Sequence, residues 1–330
     1  MGADAAALAR LLRALASLGV LAEPRPHQYA LTPVGELLRS AVPGSMRDWL
    51  MAKTDTPHRQ AWGRLSERVR SGQTVVPQVF GMPVCEYYAA YPEDRACFSR
   101  AMGNMSALAA QGTLQQYDFS QARHIVPVGG ADGSLVLAIL DAHPHVRGTV
   151  FDQPHVVDAA RPAIHAEHHQ ARCEAVGGDF FQTVPLGGDP YVLKFILIDL
   201  IDWQDTEALR ILQNCRTAIT PDGRLLVIEM TIPGDNHLSP AQLLDLNMLV
   251  MTGGQERTPS EYGALLAQAG FRLTHVIPTG SPFHVLEAVT VWRRSSALLD
   301  DASQECTRKP VADAHERVSL GSASQARTPA

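Results

Sequence analysis

From about residue 123 onward, short apolar runs alternate with segments of helical period. The runs fall at 124–128, 149–151, 174–176, 191–198 and 224–230, with further strands expected near 271–278 and 283–291. Helices are expected near 240–251 and 259–269. Alternating βα units imply a parallel sheet with helices on both faces. Such a sheet binds its ligands beyond the carboxyl ends of the strands. The first strand runs into Val126-Pro127-Val128-Gly129-Gly130-Ala131-Asp132-Gly133, with a helix expected from Ser134. Glycines let the backbone approach a nucleotide-like cofactor, and the helix N-terminus offers unpaired N–H donors. Pro127 removes a ladder N–H from a strand expected to be central, and Ala131 interrupts the glycines.

The first hundred residues have a different texture. Leu8, Leu11, Leu12, Leu15 and Leu18 recur at helical spacing over 4–20 and stop at Gly19. A short hairpin follows, with a turn expected at 24–27, and Thr32-Pro33-Val-Gly-Glu36 reads as a capped helix start. Helix, hairpin and helix form a winged-helix pattern. Its basic residues do not cluster on one helix, so a packing role is expected rather than DNA binding. Residues 46–112 read as helical with breaks at Pro57, 72–77 and 81–83. The expected domains are a helical one over 1–112, an α/β one over 113–295, and a disordered tail over 296–330.

A formal net charge of −6 gives no electrostatic footprint for nucleic acid or an anionic membrane. The five cysteines lack CxxC spacing, which fits free thiols rather than a metal site. The chain opens without a signal-peptide pattern and holds no apolar run of spanning length, so a cytoplasmic location is expected.

Four strand ends converge on one rim. Gly129, Gly130 and Gly133 follow strand one. Asp152 ends strand two, where a carboxylate can accept both ribose hydroxyls. Asp179 ends strand three and can accept an adenine amino group, with Phe180 against the base. Lys194 precedes the end of strand four.

These residues, with Leu8-Ala-Arg-Leu-Leu-Arg-Ala-Leu, Tyr29-Ala-Leu-Thr-Pro-Val-Gly35, Gly148-Thr-Val-Phe-Asp152, Gly177-Gly-Asp-Phe-Phe181, Pro221-Asp-Gly-Arg-Leu-Leu-Val-Ile-Glu229 and Gly253-Gly-Gln-Glu-Arg-Thr258, carry a family resemblance. From about residue 8 to 290 the chain resembles the S-adenosylmethionine-dependent O-methyltransferases of small phenolic and polyketide substrates. The resemblance implies an α/β, Rossmann-like methyltransferase domain preceded by an α-helical, winged-helix-like dimerisation domain. It implies a homodimer, S-adenosylmethionine as cofactor, an aromatic substrate and no metal. It assigns the donor to Gly129, Gly130, Gly133, Asp152, Asp179, Phe180 and Lys194. It also places Met105, Asn247, Met248 and Met251 along the substrate pocket. Residue 1 falls inside the second or third helix of such a domain, which puts dimerisation in doubt.

In the family a histidine that opens a His-Asp-Trp segment removes the substrate's proton, held by glutamates resembling Glu229 and Glu256. Here the segment is about three residues longer. One alignment puts Ile201 in the histidine's place and the other puts Ile198 there. Neither has proton chemistry, although Asp199 or Asp202 could serve as the base. Among the histidines, His165, His168 and His169 read as solvated and His284 as core or edge, while His58 falls in the substrate-facing region by resemblance. The function expected is a slow or proximity-driven O-methyltransferase of a hydroxylated aromatic secondary metabolite. The alternatives are a relative repurposed for hydroxylation, decarboxylation or cyclisation, and a non-catalytic paralogue.

Overall fold

Asp4 starts the first helix, α1 (Ala5–Ser17), by accepting the Ala7 N–H at 2.8 Å. The computed structural model of the chain describes residues 2–40, 42, 44–166, 169–198, 205–235 and 237–291, apart from the side chains of residues 159 and 166. The expected tail, together with His168, Asp199, Ile201 and Asp202, lies outside them. The described residues up to Val291 belong to one compact unit.

None of the α1 residues is buried; Leu11 on it and Leu18, which caps its C-terminus, are exposed. Next, β1 (Leu21–Arg25) and β2 (Gln28–Leu31) pair antiparallel, and His27 turns the chain at φ +62°. The turn is tighter than expected, because Pro24 and Arg25 stay in the strand. Thr32 caps α2 (Pro33–Glu36) through the Gly35 N–H. Then come α3 (Arg47–Lys53), α4 (Thr56–Trp62), α5 (Leu65–Ser71), α6 (Val76–Phe80), α7 (Val84–Ala90) and the long α8 (Pro92–Gln116). Left-handed Gly72 and Gly81 end α5 and α6, where side chains rarely follow. Pro57 is not a break. It sits in the first turn of α4, where a missing N–H costs nothing, after Asp55 has capped the helix.

The α/β region contains β3 (His124–Val128), α9 (Ser134–Ala142), β4 (Arg147–Asp152), α10 (Pro154–Ala166), β5 (Cys173–Gly177) and β6 (Tyr191–Lys194). It continues with α11 (Asp205–Ala218), β7 (Arg224–Met230), α12 (Pro240–Met251), α13 (Pro259–Gln268), β8 (Phe271–Pro278) and β9 (Phe283–Thr290). The seven-stranded sheet has the order β5-β4-β3-β6-β7-β9-β8. Its first five strands are parallel, whereas β9 lies antiparallel to both β7 and β8. The protein is therefore a Rossmann-like α/β fold preceded by a helical segment.

Alternate residues of the inner strands feed two cores. Ile125, Val192 and Leu226 pack with α9, while Val126, Leu193 and Val227 pack with α11 and α13. Burial on both faces is what makes these strands read as continuous apolar runs. β6 is shorter than the expected 191–198: Phe195 adopts φ +60° and turns the chain out of the ladder. Pro127 is accommodated inside β3 opposite Val192, and the β3–β4 register runs through His124, Ile125 and Val128.

The helical segment docks onto the sheet through α8. A Cβ at Gly112 would lie 2.7 Å from both the Cβ and the carbonyl oxygen of Thr279, just beyond β8. Gly112→Ala is therefore expected to lower stability by about 1–3 kcal/mol through overpacking, read as a drop in melting temperature. An unchanged melt would show that this joint yields.

Candidate active site

The bend after β3 is held by the end of β4. Phe151 O accepts the N–H groups of Gly129 and Gly130, at 2.9 and 3.1 Å. Asp152 Oδ2 accepts the Ala131 N–H at 3.0 Å, and its Oδ1 accepts that of Gln153 at 2.7 Å. Gly129 and Gly133 lie at φ +70° and +75°, and Ala131 follows them into the left-handed region at +47°. An L-residue there costs about 1–2 kcal/mol.

Asp179 stands two residues beyond β5 rather than at its end. It is exposed, and its Oδ1 accepts the Phe181 N–H at 2.9 Å. Asp152 pairs with Gly177 in the β4–β5 register, so the two carboxylates belong to neighbouring strand ends. Phe180 is half-buried, with its carbonyl accepting from Asn214. Lys194 ends β6, donates to the Ser106 hydroxyl on α8, and lies 5.0 Å from the Phe195 ring. Burial lowers the pKa of its ammonium, with Asp132 and Glu229 opposing.

Beside this rim, at the carboxyl ends of β6 and β7, lies a chamber of about 150 Å³. Met105, Asn247, Met248 and Met251 all line it, as do Glu229 and Glu256. Phe195, Ile198 and Phe283 complete its sheet side, and Trp49, Lys53, His58 and Tyr88 line it from α3, α4 and α7. A wider groove of about 410 Å³ adjoins it and shares Trp49, Met105 and Leu244. Trp62 Nε1 donates to Asn247 Oδ1 at 3.2 Å, and Arg68 Nε to Leu249 O at 2.8 Å, which ties α12 to the helical segment. Buried Arg257 donates to Leu197 O at 2.9 Å and to Asp205 Oδ1 at 2.8 Å. Those bonds anchor both flanks of the stretch that holds Ile198.

The acids are costly to bury. Glu229 is fully buried and accepts the Leu197 N–H at 3.1 Å. Both oxygens of Glu256 are buried with no hydrogen-bond partner among the described residues. Burial first, then Glu229 and Asp245, push its carboxyl well above the usual carboxylate range.

Sequence reasoning missed Trp49, Lys53 and Tyr88. The Asp55-Thr56-Pro57 cap signal marked the helix that presents His58, but it read as a break. His169 is not solvated: it is buried and bonded to Asp141 at 2.7 Å. His165 is exposed, and half-buried His284 meets the Thr231 hydroxyl at 3.2 Å. Among the described residues no His, Cys, Asp and Glu group could hold a metal, and no helix is long and apolar enough to cross a membrane.

The profile of the O-methyltransferase domain matches residues 62–272. Phenazine O-methyltransferase PhzM of Lysobacter antibioticus is 39% identical over 287 residues, covering 87% of this chain and 83% of that protein. The chain belongs to the O-methyltransferase family. CalO1, a methyltransferase in calicheamicin biosynthesis solved with S-adenosylhomocysteine, superposes with a TM-score of 0.79 at 33% identity over 88% of this chain and 85% of its own. NcsB1, an O-methyltransferase from neocarzinostatin biosynthesis, does so with a TM-score of 0.68 at 32% identity, over 88% and 86% of the two chains. It was solved with S-adenosylmethionine and 2-hydroxy-5-methyl naphthoic acid.

S-Adenosylmethionine is the cofactor of this family, and the rim fits it chemically. Adenosine offers hydroxyl and amino donors, and Asp152 and Asp179 are acceptors with lone pairs to spare. Lys194 is a cation suited to the donor's carboxylate. The side chain of Pro127 offers the donor's ammonium no acceptor.

A carboxyl held protonated by burial loses that advantage as pH rises. Above its ordinary pKa the unfolded chain releases the proton and the folded chain keeps it, so stability falls with pH. Glu256→Gln is therefore expected to raise the melting temperature, more at about pH 9 than at about pH 5. An equal effect at both would show that Glu256 is ionised in the fold.

Proposed function

We propose that the chamber holds a hydroxylated aromatic secondary metabolite and that the protein methylates its hydroxyl. The observation that carries this reading is an apolar, aromatic-lined chamber beside the glycine bend and the two rim carboxylates. The solved relative that holds a hydroxynaphthoate supports it. The adjoining groove leaves room for acceptors of two or more rings. The relatives named above are methyltransferases, and the non-methylating alternatives draw no support from them.

The donor supplies an activated methyl group, so the protein must align, exclude water and accept a proton. Asp152 and Asp179 hold the adenosine, with Phe180 against the base, and Gly129, Gly130 and Gly133 let the backbone close on it. Lys194 anchors the donor's carboxylate. Met105, Met248 and Met251 shape the apolar wall, and Asn247 offers an amide edge. Ile198, one of the two positions where the resemblance expects an imidazole, lines the chamber with Glu229 and Glu256, so in that alignment those acids have no ring to hold. The exposed apolar residues of α1 support a homodimer in which a second copy covers them.

Calorimetric titration tests the donor site. Saturable heat with S-adenosylmethionine is expected, weakened about tenfold or more by Asp152→Ala and by Asp179→Asn. No heat at millimolar donor would sink the reading. Ile198→His is expected to raise kcat for 2-hydroxy-5-methylnaphthoate or 1-hydroxyphenazine by about 10²-fold, measured as S-adenosylhomocysteine formed. Unchanged turnover would show that the lack of an imidazole at position 198 does not limit the rate.

A further inference from the structure

The chamber has a second polar pole, away from the glutamates. Asp55 caps α4, and its Oδ1 accepts both the backbone N–H of His58 at 3.0 Å and its ring Nδ1 at 2.8 Å. An ionised carboxylate only accepts, so Nδ1 carries the proton and Nε2 presents a lone pair. Lys53 Nζ, at the end of α3, donates to that Nε2 at 3.4 Å and lies 4.5 Å from the centre of the Trp49 ring. His58 is only 2% exposed, yet it lines the chamber. Tyr88 lines it too, and its buried hydroxyl has no hydrogen-bond partner among the described residues. Three helices thus bring an oriented imidazole, an ammonium and an unused phenol to one apolar space.

We propose that His58, oriented by Asp55, takes the proton from the substrate hydroxyl, which replaces the Lys53 ammonium at Nε2 and leaves Lys53 placed to offset the charge developing on that oxygen. This rests on the chamber being the acceptor site. The acceptor's O–H bond breaks and the proton goes to Nε2. The oxygen's electron pair forms the bond to the methyl carbon as that carbon's bond to the donor sulfur breaks, with the pair staying on sulfur. The imidazolium then releases its proton to water.

Glu256 is the rival. Burial pushes its carboxyl well above the usual carboxylate range, which favours the protonated form and leaves it little capacity to take a further proton. Burial drives His58 the other way: it lowers the imidazole's pKa, and Lys53 adds to this against Asp55. A neutral imidazole is the better acceptor at pH 7. The groups sharing its surroundings are Asp55 on α4, Lys53 on α3, Cys85 and Tyr88 on α7, Glu229 on β7, and Glu256 beyond α12.

The test compares His58→Gln with wild type, and the same change in an Ile198→His background, on the two hydroxyaromatic probes. With the wild-type background, kcat is expected to fall about 10²–10⁴-fold with KM little changed, and the acid limb of the pH–rate profile is expected to vanish. In the Ile198→His background the loss is expected to shrink to less than about tenfold, because a second imidazole is present. Unchanged kcat, or equal losses in both backgrounds, would overturn the assignment, the latter marking structural damage. Nitrogen NMR of the donor-free protein needs no turnover and decides if neither probe reacts. A neutral ring protonated on Nδ1 is expected, lost in Asp55→Asn; an Nε2–H ring or an imidazolium near neutral pH would overturn it. Failure of the methyl-transfer reading looks different: no donor heat, with the His58 tautomer as stated.

Discussion

The bend after β3 owes its shape to the neighbouring strand. Two glycine N–H groups close on Phe151 O, and the Asp152 carboxylate takes the N–H groups of Ala131 and Gln153. Buried backbone donors must find acceptors, and here the end of β4 supplies them. This outside hold lets the loop keep Ala131 in a left-handed conformation and lets β3 keep Pro127. It also makes Asp152 a brace for the loop at the same rim where the donor is proposed to bind. The chamber is built out from this edge, with its floor on the strand ends next door.

The chamber joins pieces of opposite character. Its floor comes from the sheet side, with Phe195, Glu229 and Met230, and its roof from α3, α4, α7 and α8. With an isoleucine at 198, the floor holds two acids and no imidazole. Burial then favours the protonated form of Glu256, so that wall stores protons rather than collecting them. The roof holds the opposite chemistry, a cation and an imidazole whose Nε2 accepts from that cation. Methyl transfer consumes a lone pair and releases a proton, so the two poles are not equivalent for it.

Much of the architecture was legible because its signals are local. Strand β3, strand β7 and helix α12 coincide with runs read from periodicity, and the Thr32 cap follows from side-chain chemistry alone. Strand β6 was over-read, since nothing apolar marks Phe195 as left-handed. His169 was misjudged because its partner, Asp141, lies on another helix. An alignment of a lengthened segment leaves Ile198 and Ile201 both open; Ile198 lines the chamber, and Ile201 lies outside the described residues.

The sequence by itself determined the α/β alternation, the glycine bend and the acids beyond the strand ends, because hydrophobic period and turn preference act over a few residues. Family likeness added the chamber's methionines and glutamates. Only the tertiary structure decided that His58, Ile198 and Glu256, carried by separate segments of the chain, share one apolar space. It also decided which of their atoms find partners. Convergence of that kind depends on how elements pack across long separations, and no pattern within a single element encodes it.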